Sequence, residues 1–108
     1  MPDQMGCFVA HVGNPDFHDG AITAVTEEAD SLKVEIKGYS GANYLITFLA
    51  VESILSHNPI NMALYALSEM TAVPPLRQFV FVNSYEPYQE GGDSELQIIA
   101  ADFSVQEI

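Results

Sequence analysis

A chain of 108 residues, 48% of them hydrophobic, is long enough for one domain with one core. A domain of this length buries roughly two-thirds of its unfolded surface and needs neither disulfides nor metals to do so. Fifteen acidic residues against only Lys33, Lys37 and Arg77 give a formal charge of −12, a poor match to nucleic acid, which is bound by cations neutralising phosphates, and to anionic membrane surfaces.

Taken in order, the start Met1-Pro2-Asp3-Gln4 has neither the basic nor the apolar region of a leader, and no apolar run nears ~18 residues. The chain is expected to be cytoplasmic. Cys7 is the only cysteine, so no internal disulfide forms, and its apolar setting (Cys7-Phe8-Val9-Ala10) predicts a buried, inert thiol. Gly20 to Ala29 reads as a strand ending in the acidic turn Glu27 to Ser31. Leu32, Val34 and Ile36 alternate with Lys33, Glu35 and Lys37, the period of a sheet with one wet face. Turn residues from Gly38 to Asn43 lead into Tyr44 to Val51, which completes a hairpin.

Glu52 to Met70 is ambiguous. Asn58-Pro59 resembles a helix start, and Met62 to Met70 holds good helix formers. The same residues also fit a strand buried on both faces, and the sheet context favours a strand after a short helical turn at Glu52 to Ser56. Pro74-Pro75 closes that stretch. Phe79-Val80-Phe81-Val82 marks a strand over Leu76 to Asn83, and Glu95 to Val105 is the last strand, with a bulge near Ala100-Ala101. The expected fold is mainly β: a single domain over 1–108, an antiparallel β-sandwich or open barrel of about six to seven strands with at most one short helix. The alternative is α+β, with a helix at about 59–70.

The most pointed local sequence is Asn14-Pro15-Asp16-Phe17-His18-Asp19-Gly20. His18 beside Asp19 could bind a divalent metal or move a proton, with the carboxylate orienting the ring. The plainer reading is a turn before a strand, with Phe17 anchored in the core. A metal site would have to be assembled through space from His11, His18, Asp19 and His57, because no metal-ligand spacing occurs in the sequence. Cys7 and His11 share a face at strand spacing, but no further signal of a catalytic thiol accompanies them. Tyr39, Tyr44, Tyr85 and Tyr88 flank turns and either line a binding face or cap the core. The acids of the loop Ser84 to Ser94 lack the ordered alternation of a calcium loop. Serine-nucleophile, phosphate-loop and dinucleotide motifs are missing, so no cofactor is expected and enzyme status leans to no. The His-Asp doublet also names a group of all-helical metal phosphohydrolases, which a strand-rich chain with only two further histidines does not fit.

Phe17-His18-Asp19-Gly20-Ala21-Ile22, followed by a hairpin and Ile46-Thr47-Phe48-x-x-Val51, resembles the opening of small bacterial immunity proteins of polymorphic toxin systems. Their Trp-Pro-Ser-Phe-His-Asp-Ala segment begins a long strand. The likeness covers about a third of the chain; here Asn14-Pro15-Asp16 replaces Trp-Pro-Ser, and Gly20 stands where Ala is usual. It implies a bacterial, non-enzymatic protein that binds a toxin domain. Charged residues are only 17%, below the ~25% of typical soluble domains, and this predicts exposed apolar surface and a homodimer. The leading expectation is a non-catalytic protein-interaction module with a basic protein partner. Its rivals are a metal-binding protein or metal-assisted hydrolase using His18 and Asp19, and a carrier of a small apolar ligand inside a barrel.

Overall fold

Alternating apolar and charged positions demand a sheet with one dry face, and the computed structural model supplies it for residues 7–86 and 88–108. The expectations for Met1 to Gln4 and for Pro87 lie outside the described residues. Seven strands are present: β1 (Phe8–Val12), β2 (Ala21–Glu27), β3 (Ser31–Lys37), β4 (Asn43–His57), β5 (Leu64–Met70), β6 (Arg77–Asn83) and β7 (Glu95–Glu107). They form one antiparallel sheet in the order β1-β5-β6-β7-β4-β3-β2. The mainly β class is therefore correct. Among the described residues no helix is long and apolar enough to cross a membrane.

The sheet curls until its margins meet. Ala21, at the start of β2, bridges Ala63 just before β5. Around it Asp19 N–H donates to Leu64 O at 2.9 Å, Leu64 N–H to Gly20 O at 2.9 Å and Ile22 N–H to Met62 O at 3.2 Å. The result is an open barrel joined along one short seam. Its interior is filled by Leu32, Val34, Ile36, Ile46, Phe48, Leu64, Leu67, Phe79, Phe81, Leu96 and Ile98, all fully buried or nearly so. Phe48 and Phe79 lie 5.2 Å apart, and Phe79 and Phe103 4.9 Å apart, within the range of favourable aromatic pairs.

The sheet bends sharply across the middle of β4. Ala50 adopts φ +53°, which costs a non-glycine residue roughly 1–2 kcal/mol, and the β4–β7 register shifts between Val51 and Ser53. On β7 the inward set changes from Leu96, Ile98 and Ala100 to the half-buried Phe103 and Val105. The change of spacing expected on β7 near Ala100-Ala101 is present, and the register shift that goes with it lies on the facing strand.

Glu52 to Ser56 is not a helical turn but the far half of β4, hydrogen-bonded to β7 from Ser53 to His57. The helix considered at 59–70 is likewise absent: residues 59–62 turn, and β5 follows. β5 pairs with β1 on one edge and β6 on the other, so a helix there would strip both neighbours of their ladder. Tertiary pairing overrides helix propensity. The one helical turn among the described residues is a 3-10 turn at Pro15–Phe17, with the Asn14 side chain accepting from Asp16 N–H at 2.8 Å.

That turn is pinned from two directions. Phe17 is buried edge-on against Tyr44, with ring centroids 5.3 Å apart, and it lies so close to Gly13 (φ +83°) that a Cβ there would collide with its ring. Asp16 accepts from Ser40 Oγ at 2.7 Å, Ser40 N–H at 3.0 Å and Tyr44 hydroxyl at 2.9 Å, which ties the turn to the β3–β4 loop. These bonds, the Ser40 hydroxyl foremost, hold the Asp16 carboxyl below its ordinary range; burial, then Asp16, push Tyr44 up.

Truncating Phe17→Ala is expected to cost about 3–5 kcal/mol, read as a lower urea midpoint at an unchanged m-value. Because the Asp16 carboxyl is depressed on folding, its stabilising effect is present above the ordinary carboxylate range and lost as pH falls through and below about pH 4. The Asp16→Asn variant is therefore expected to show a flatter dependence of thermal midpoint on pH across that window than the wild type.

Candidate functional site

The structure separates the three histidines into a pair and a singleton. His18 follows the Pro15–Phe17 turn, and its Nδ1 lies 3.0 Å from Tyr65 O. A carbonyl only accepts, so Nδ1 carries the proton and Nε2 of the neutral ring is left as an acceptor. Nε2 is 3.6 Å from Asp19 Oδ2, with both side chains more than half exposed. Asp19 sits at φ +66°, a conformation that Asp tolerates better than most residues. The doublet is thus a turn leading into β2. Gly20 belongs to the same crossing: a Cβ there would meet Lys37 O at 2.7 Å, so an Ala at this position requires the backbone to shift.

His11 comes to the same place from β1. Its Nδ1 shares a 3.0 Å hydrogen bond with Ser68 Oγ, and Ser68 is a polar residue buried at 3% exposure. Tyr65 stands between the two imidazoles, 6.0 Å from His11 and 5.2 Å from His18 by ring centroid, steeply inclined to both. Together with Val12, Gly13, Asn14, Pro15 and Ala66 these rings wall a cleft of about 320 Å³. His57 lies elsewhere, 3.4 Å from Asp93 in the β6–β7 loop. Among the described residues no three His, Cys, Asp or Glu side chains converge as metal ligands.

Cys7 is exposed, contrary to the buried thiol expected of its apolar neighbours. β1 pairs on one edge only, and Phe8 and Val9 are exposed with it. Of the four tyrosines at turns, Tyr44 belongs to the core while Tyr39, Tyr85 and Tyr88 are exposed.

The sequence reading missed the outer face of the sheet. Inward Phe79 and Phe81 leave Val80 and Val82 pointing outward, and the register sets two rows across five strands. One runs Leu55, Gln97, Val80, Ser68, His11; the next runs Ser53, Ile99, Gln78, Met70, Phe8. Neither contains a charged residue, although the chain carries −12. Gln78 donates to Gln97 at 3.1 Å in the middle of the face, and Leu55 and Phe8 are 53% and 55% exposed near its two margins. At the β4 margin it deepens into a groove of about 970 Å³ lined by Leu55, Val80, Val82, Tyr85 and Gln97 among others. The signal was present in Phe79 to Val82, where apolar residues on both faces mean that both faces want covering.

At the opposite end Arg77 closes the barrel. It donates to Glu69 through Nε and Nη2, each at 2.8 Å, and to Asp102 at 3.1 Å, and it lies over Phe79 and Phe103 at 5.2 and 5.3 Å. The paired guanidinium holds Glu69 below its ordinary range, and Glu69 raises Arg77.

The fold and these clefts define an open antiparallel β-barrel domain whose outer face carries two uncharged rows across five of its strands. No protein-family model matches the chain, and neither a curated protein nor a solved structure shows significant similarity to it.

Removing His11 leaves the buried Ser68 hydroxyl short of its partner. A His11→Ala, Ser68→Ala double-mutant cycle is expected to give a coupling of about 0.5–1.5 kcal/mol by urea unfolding.

Proposed function

We propose that this protein is a non-catalytic interaction module that binds a protein partner across the outer face of β4, β7, β6, β5 and β1. The observation carrying the reading is that the two central rows of this face hold no charged residue and are half apolar, on a chain of net charge −12. Five strands make it about 20–25 Å across, the scale of a standard interface burying roughly 800 Å² per partner. Interface centres are depleted in charge while their rims are polar. The rim here includes Glu95, Asp93 and Glu86, which favours a partner with basic groups around an apolar centre. An immunity-like role, blocking a basic toxin domain, is the form of this reading that the Phe17-His18-Asp19 likeness supports. Self-association through the same face is the second form, favoured by the low charged fraction.

A photo-crosslinking residue at Val80 is expected to give one discrete adduct in cells, identifiable by mass spectrometry, that the same residue at Glu35 does not. The purified partner so identified, or a second copy of the chain, then binds wild-type protein and loses at least tenfold affinity against Val80→Glu at unchanged thermal midpoint. Equal labelling from both positions counts against the face.

A further inference from the structure

We infer that the cleft walled by His11, Tyr65 and His18 is a socket for a guanidinium group, an arginine side chain of the partner that covers the adjoining face. This deepens the interaction reading above and rests on it. His11 ends one of the two uncharged rows through its pairing with Ser68, so a chain lying on that face reaches the cleft at the β1 margin.

The chemistry of the walls selects a cation with an apolar stem. Tyr65 offers a ring about half exposed, and a guanidinium over an aromatic face is attracted by its quadrupole. His18 Nδ1 is committed to Tyr65 O at 3.0 Å, which leaves Nε2 as the free ring nitrogen, with the Asp19 carboxylate 3.6 Å from the same atom as a partner for a cation. Val12, Pro15 and Ala66 supply apolar contact for methylene groups. No lysine or arginine lines the cleft, and two of the chain's three basic residues are paired elsewhere: Lys33 to Glu28, and Arg77 to Glu69 and Asp102. An anionic ligand would face the field of −12, whereas a cation is drawn in by it. About 320 Å³ accommodates one long side chain and lies at the small end of ligand pockets.

The test is a titration of the full chain, followed by amide NMR, with N-acetyl-arginine methylamide and its uncharged citrulline isostere. The expected result is saturable shifts at Gly13, Tyr65 and Ala66 with arginine at millimolar concentration, and none with citrulline. Tyr65→Leu is expected to weaken binding about fivefold, and Asp19→Asn, which keeps the tolerated backbone conformation, about two- to fivefold. Equal responses to citrulline, or no saturable response to arginine, overturn the socket. Tighter binding of tetramethylammonium than of arginine overturns it in favour of a small quaternary amine, and zinc broadening of both imidazoles without an arginine response overturns it in favour of a metal. The two readings fail separately: a Val80 adduct without an arginine response removes only the socket. An arginine response without an adduct removes the partner and leaves a site for free cations.

Discussion

The seam between Ala21 and Ala63 is where the two margins of the sheet meet, and everything else in the fold is arranged around it. A twisted sheet of seven strands leaves two exposed margins, and such edges invite association. Here β1 covers one side of β5, the chain turns aside through Pro15–Phe17, and β2 resumes pairing on residues 61–64. One segment is thus covered by two successive strands. The detour between them must be held in place, and Phe17 and Asp16 do that, one by burial and the other by three accepted hydrogen bonds. The pinned turn delivers His18 to Tyr65.

Charge is distributed to the same plan. Acids lie on loops, on wet positions of β2 and β3 and along β4 and β7, with Glu95 at one end of the outer face, while the two central rows across β4, β7, β6, β5 and β1 carry none. Arg77 is spent at a barrel mouth, where it satisfies Glu69 and Asp102 and covers Phe79 and Phe103. Glu69, which faces inward, is held in a half-buried place only by that pairing. The net −12 is therefore not a uniform field: it surrounds an uncharged platform. A partner with an apolar centre and basic surroundings fits such a surface on both counts.

Much of the candidate site was legible in part. The Asn14 to Gly20 stretch was readable as a turn with an anchoring Phe17, because Asn-Pro and Asp-Gly are turn dipeptides with a physical basis. The meeting of His11 with His18 was not readable. It depends on β1 and the Pro15–Phe17 turn both lying against β5, through contacts spanning 57 and 47 residues. Asp16 was passed over for His18 and Asp19, since the value of a carboxylate depends on which donors the distant β3–β4 loop brings to it.

From the sequence alone came the mainly β class, the β2–β3–β4 hairpins and the β6 and β7 strands. These follow from local alternation and turn chemistry, which act over a few residues. Tertiary structure decided that Glu52 to Ser56 extends β4, that residues 64–70 are a strand despite helix-forming side chains, and that Cys7 is exposed on a margin. It also decided which apolar positions remain uncovered. Both faces of Phe79 to Val82 are apolar, and only the curl of the sheet determines that one becomes the core and the other a surface open to a partner.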